Sequence, residues 1–173
     1  SIGADASLAG SGRTAVLSPD GTALAFTAQQ AGQTRLFVRK LDQLQAVALA
    51  GTEGALIPFF SPDGQWIAFF ANSKLKKVSV TGGAAVNLCE APNGRGGTWT
   101  DADTIIVTPT NGTNTRLMRV PAAGGAPTVF GTFGEGAVTQ RWPQALPGGK
   151  AVLYTEHSAI GGNDGANLVV APL

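Results

Sequence analysis

Leu17-Ser18-Pro19-Asp20-Gly21-Thr22-Ala23-Leu24-Ala25-Phe26 returns 43 residues later as Phe60-Ser61-Pro62-Asp63-Gly64-Gln65-Trp66-Ile67-Ala68-Phe69. A worn third copy starts 39 residues further on, Trp99-Thr100-Asp101-Ala102-Asp103-Thr104-Ile105-Ile106-Val107. A fourth follows after 46 more, Ala145-Leu146-Pro147-Gly148-Gly149-Lys150-Ala151-Val152-Leu153-Tyr154. A period of about 40–45 residues is that of one four-stranded propeller blade. Each residue of the motif has a physical task. Proline presets φ at the first central position of a turn, and aspartate accepts bonds from the backbone just beyond it. Glycine takes the positive φ that closes a three-residue hairpin with a bulge. The Ser18 and Ser61 hydroxyls can tie the same corner. Pro19, Asp20, Gly21, Pro62, Asp63, Gly64, Gly148 and Gly149 are therefore read as structural turn residues joining an inner strand to the next one out.

The rest of each period fits this reading. Thr34–Arg39, Leu75–Val80 and Thr115–Val120 read as third strands. Gly82-Gly83 and Gly124-Gly125 then turn the chain into outer strands at Ala85–Leu88 and Pro127–Phe130. Asn111-Gly112 marks the hairpin between the second and third strands of the third period. As a glycosylation sequon, Asn111-Gly112-Thr113 reads simply as that turn. The expected fold is all-β: a propeller, or part of one, of about four blades, each a four-stranded antiparallel sheet. The blades are placed at about 13–50, 56–89, 95–130 and 138–173. The last is incomplete, with Leu168–Ala171 as its third strand, unless the stretch from Ile2 to Leu8 supplies its fourth. A partial ring leaves blade edges uncovered and implies homo-oligomers through them.

Composition agrees. The chain has 173 residues, 43% hydrophobic and only 13% charged, with 24 Gly and 10 Pro. That mix suits short strands and tight turns, and the hydrophobic share argues against disorder. Net charge is +1 with Lys and Arg scattered, so neither a nucleic-acid surface nor a polybasic membrane segment is expected. No apolar run is long enough to span a bilayer, so direct membrane insertion is not expected. The opening Ser1-Ile2-Gly3-Ala4-Asp5 does not read as a signal peptide. Cys89 stands alone and cannot form an internal disulfide.

The repeated Ser-Pro-Asp-Gly, with Val78-Ser79-Val80-Thr81-Gly82-Gly83 and Val120-Pro121-Ala122-Ala123-Gly124-Gly125, resembles the TolB-like propeller repeats. More narrowly, three stretches resemble the propeller region C-terminal to the kinase domain of many bacterial serine/threonine protein kinases. They are Gly51–Phe70, Leu75–Gly83 and Arg141–Leu153. The resemblance implies a bacterial, extracytoplasmic or periplasmic sensor or protein-docking region; the founding TolB-like protein is periplasmic and docks proteins. Kinase motifs are absent, with no Gly-rich phosphate loop and no His-Arg-Asp catalytic loop.

The remaining residues give no catalytic set. His157 is the only histidine and no Gly-x-Ser-x-Gly elbow exists, so it reads as a loop or strand-end residue. One His and one Cys cannot build a zinc site, and no metal or other cofactor is expected. Asp20, Asp63, Asp101 and Asp103 recur once per period, which sets most of them on separate, distant turns rather than in one acid–base pair. Gly161-Gly162-Asn163-Asp164-Gly165 lacks the regular acidic spacing of a calcium loop and reads as a hairpin loop. The best binding candidates lie on or before the innermost strands: Glu53, Arg95, Trp99, Arg141 and Trp142. Arg and Trp are favoured at binding hot spots, although Trp99 also matches Phe60 as a packing residue. The expected function is non-catalytic docking of a protein or ligand. The alternatives are the non-catalytic propeller of a prolyl-oligopeptidase-type peptidase, or a self-assembling propeller fragment.

Overall fold

A computed structural model describes residues 7–8, 14–101, 103–158 and 165–173. The chain divides into two compact units, Ser1–Asn87 and Leu88–Leu173. Among the described residues every regular element is a strand.

The first sheet contains β1 (Ser7–Leu8), β2 (Ala15–Leu17), β3 (Ala23–Gln30), β4 (Gln33–Lys40) and β5 (Val47–Ala48). Both β1 and β2 pair with β3, followed outward by β4 and β5. The second sheet is a meander of β6 (Leu56–Phe60), β7 (Trp66–Ala71), β8 (Lys74–Ser79) and β9 (Val86–Glu90). The third is another, of β10 (Gly97–Thr100), β11 (Thr104–Val107), β12 (Met118–Pro121) and β13 (Thr128–Val129). The fourth is β14 (Thr139–Ala145), β15 (Ala151–His157) and β16 (Asn167–Pro172), three strands among the described residues. Ser7 and Leu8 lie opposite Gln29 and Ala28 in the first sheet. For Ser7 and Leu8 the alternative placement in the fourth blade is thereby corrected, since they pair with β3; residues 2–6 lie outside the described residues.

The repeated corner explains why these strands form where they do. Ser18 N donates to Ala23 O and Gly21 N to Ser18 O, at 2.8 and 2.9 Å. Ser61 and Gly64 repeat both bonds in the second sheet, and Leu146 and Gly149 repeat them in the fourth. The closing residue has φ +70° at Gly21, +68° at Gly64 and +63° at Gly149. In the worn copy Asp103 takes that place at +50°, a conformation that Asp tolerates better than most residues. Ser18 and Ser61 hydroxyls donate to Asp20 and Asp63, and each aspartate accepts the backbone N–H two residues on.

Packing follows from the apolar runs after each corner. Strand β7 is buried on both faces from Ile67 to Ala71, as a strand between two layers should be. Within the first unit, Ala25, Leu36 and Val38 of the first sheet pack with Phe60, Ile67 and Phe69 of the second. Phe26 and Phe37 stack on the other face of the first sheet, 5.4 Å between centroids. Within the second unit, Ile106, Leu117 and Phe130 pack with Val152 and Tyr154.

Adjacent corners meet. A Cβ on Gly64 would lie 3.8 Å from Pro19 Cδ. Asp20 and Asp63 line one cavity of about 340 Å³, together with Lys40 and Thr81. The expectation that these carboxylates sit on distant turns is corrected. They belong to successive sheets, but packing of those sheets brings the corners side by side. The Ser18 hydroxyl, followed by the Thr22 N–H, holds the exposed Asp20 carboxyl at about 2, below its ordinary 3.8. Ser61 and the Gln65 N–H act on Asp63 in the same direction. A depressed folded pKa means that the corner is supported above the ordinary carboxylate range. That support is lost as pH falls toward about 2. In a ¹³C NMR titration Asp20 is expected to protonate near pH 2, and Ser18→Ala to move its midpoint upward. A wild-type midpoint at the ordinary 3.8 would show that the Ser18 bond does not form in solution.

Candidate functional site

Two of the innermost strands, β6 and β14, share a kink near their start. In β14 the pairing with β15 runs from Arg141 opposite Thr155 to Gln144 opposite Leu153, skipping a step. Trp142, inside that bulge, has φ +55°. In β6 the same step lies between Leu56 and Phe59, and Ile57 has φ +51°. Counting back from each corner, Ile57, Gly96 and Trp142 occupy one repeat position, and Gly96 has φ +106°. Proline follows the kink twice, as Pro58 and Pro143, both buried. A bulge bends its strand and re-aims the side chain beside it.

In the second unit this device sets the starts of two inner strands against each other. Trp142 N donates to Arg95 O at 3.0 Å, and Arg95 N donates to Thr108 O at 2.8 Å. Ala145 N donates to Thr98 Oγ1 at 3.0 Å one step deeper. A Cβ at position 96 would lie 2.9 Å from Trp142 Cα, so the tryptophan backbone rests directly on the bare glycine. Trp142 is left 38% exposed.

Arg95 and Arg141 are half-buried, and neither makes an ion pair among the described residues. Arg95 Nε and Arg141 Nη2 are buried atoms without a hydrogen-bond partner there. Burial first, and the Arg95 charge second, hold the Arg141 guanidinium below its ordinary pKa. Arg35 and Arg39 also have a buried Nε without a hydrogen-bond partner, but Arg35 Nη2 meets Glu53 Oε1 at 3.5 Å, and Arg116 and Arg119 lie over the rings of Phe133 and Phe130.

Arg95, Arg141 and Trp142 are thus brought together, and two of the candidates are not with them. Glu53 belongs to the first unit, where it faces Arg35. Trp99 is 6% exposed in β10, opposite Ile105, which follows its alternative reading as a packing residue at the place held by Phe60. His157 ends β15, its Nε2 3.2 Å from Thr155 Oγ1. Gly161–Asp164 lie outside the described residues; Gly165 is exposed. Among the described residues no three His, Cys, Asp or Glu side chains converge as a metal site. No helix among them is long and apolar enough to cross a membrane.

Sequence reasoning missed the buried support below the site. Gln140, fully buried, accepts from Leu117 N at 3.0 Å through Oε1. Its Nε2 donates to Thr132 O at 2.9 Å and to Glu156 Oε1 at 2.8 Å. The neighbouring residue is Arg141, so this network anchors the strand that carries the site. A polar residue just before Arg141-Trp142-Pro143 was the only signal available.

The folds known from solved structures define the class: the chain has a TolB-like β-propeller fold. It matches a TolB-like protein from Agrobacterium tumefaciens with TM-score 0.76 at 14% identity, covering 92% of this chain and 64% of that one. TolB from Acinetobacter baumannii gives 0.75 at 16%, covering 92% and 40%. The β-propeller domain of the Trilobed protease from Pyrococcus furiosus gives 0.62 at 15%, covering 96% and 54%. The chain therefore spans less than two thirds of the TolB chains it matches. No protein-family model matches it. No curated protein matches it either.

Proposed function

We propose that this chain is a non-catalytic propeller region that docks a protein partner at the start of its innermost strands. The observation carrying this reading is the exposed Trp142 beside Arg95 and Arg141, held by a backbone kink. Trp and Arg concentrate binding energy where a rigid scaffold presents them together. The resemblance of Arg141–Leu153 to kinase-associated propellers favours a sensor or docking region of a larger bacterial protein, on the extracytoplasmic side. The likeness to the propeller domain of a protease supports a second reading, in which the region flanks a peptidase domain.

Arg141→Ala is expected to leave the protein folded, with a thermal midpoint no more than about 2 °C below wild type, since the side chain makes no ion pair among the described residues. It should weaken binding of the cognate partner by about tenfold or more. The measurement is calorimetry with the purified partner, identified by crosslinking through a photoreactive group at position 142. Equal affinity for wild type and Arg141→Ala would remove this face from the docking role. A parent gene with a downstream Gly-x-Ser-x-Gly domain would favour the peptidase reading over the kinase one.

A further inference from the structure

We propose that Arg95 and Arg141 form a binding site for one carboxylate of an extended peptide, with Trp142 covering the residue beside it. The inference rests on the docking reading and names the chemistry that the surface recognises.

Arg95 and the Arg141-Trp142 pair lie on segments joined by the Trp142 N–H to Arg95 O bond at 3.0 Å, and both arginines are half-buried without an ion pair among the described residues. Like charges in partial burial repel. A carboxylate answers the charge: it offsets both arginines, each only half-buried, and its two oxygens suit one N–H of each. A neutral amide supplies one acceptor and no charge. The half-exposed indole offers a flat apolar surface against the start of the strand, fit for the aliphatic part or backbone of an adjoining residue. The Trp142 N–H is already given to Arg95 O, which fixes the spacing between the two arginine-bearing segments. The backbone holds the arginines together before any ligand arrives, so little ordering is needed on binding.

The test uses the whole chain and three short peptides as probes: Ac-Ala-Glu-Leu-Ala-NH₂, Ac-Ala-Ala-Leu-Ala-OH and the neutral Ac-Ala-Gln-Leu-Ala-NH₂. The readout is the ¹⁵N-resolved Nε–H signals of Arg95 and Arg141. Saturable shifts at both arginines with a carboxylate peptide, at least tenfold weaker with the neutral one, are expected. The first two peptides separate a side-chain carboxylate from a chain terminus. Arg95→Gln and Arg141→Gln should each weaken binding about tenfold and raise the thermal midpoint of the free protein, since each removes one member of a repelling pair. Equal shifts with the neutral peptide, no shifts at millimolar concentration, or tighter binding of inorganic phosphate than of either carboxylate would each overturn the proposal. The wild-type measurement stands even if a variant fails to fold. A carboxylate site without any protein partner would leave this inference intact and sink the docking reading.

Discussion

Gln140→Leu should destabilise the second unit by about 3 kcal/mol or more. Leucine has nearly the same volume, so little of the loss comes from a cavity. The loss comes from orphaned partners. Leu117 N and Thr132 O each lose a bond, and the buried Glu156 carboxylate keeps only the Gly134 N–H of the contacts described. Each unsatisfied buried group costs about 1–3 kcal/mol, and a charged one more. Gln140 also holds the sheets by its backbone, accepting from Thr108 Oγ1 at 3.0 Å and donating to Thr115 O at 2.9 Å. Those bonds survive the substitution, so the variant is expected to fold. Urea unfolding followed by hydrogen exchange at the Leu117 N–H checks the result. An energy of about 3 kcal/mol corresponds to about a hundredfold faster exchange through global opening. A loss under about 1 kcal/mol would mean that the side chain is not the bridge between the third and fourth sheets.

Gly96→Ala should cost about 3 kcal/mol through a different cause. At φ +106° an L-residue is strained by about 1–2 kcal/mol. The new methyl would also lie 2.9 Å from Trp142 Cα and 3.2 Å from Trp142 N, atoms of a backbone that cannot rotate away. Overpacking of that kind adds about 1–3 kcal/mol. Gly21→Ala is the internal control: its φ is +70°, with nothing within 4 Å of the added carbon. It should cost only the strain, about 1 kcal/mol. Thermal midpoints of the two variants decide the matter. Equal losses would show that the Gly96–Trp142 contact is not close in solution. The same substitution at Gly96 is expected to abolish docking at Arg141, since the two inner strands can no longer meet at their starts.

The propeller blades were legible because their corners are written locally. Ser-Pro-Asp-Gly fixes a turn within four residues, and it recurs often enough to reveal a period. The site was legible in half. Arginine and tryptophan before an inner strand mark a candidate binding surface, but the sequence does not say which tryptophan is covered. Trp99 lies four residues from its corner's closing aspartate and continues the strand alternation inward, whereas Trp142 falls in a bulge that breaks that alternation. Only the positive φ at Trp142 reveals the difference. The Gly96–Trp142 contact and the Gln140 network join residues 46 and 23 positions apart. Nothing within either segment names its partner. The cavity shared by Asp20 and Asp63 escapes the sequence for a similar reason: a repeat gives spacing along the chain, not proximity between corners.

The repeat position shared by Ile57, Gly96 and Trp142 separates form from content. At two of these positions nearly the same positive φ, +51° and +55°, is held by a branched aliphatic residue and by an indole. Mutation can therefore exchange what is shown at such an address while the scaffold stays as it was. On the docking reading proposed above, a lineage built on this repeat can change its clientele by single substitutions at positions 57 and 142, leaving the cornerstones of folding unaltered.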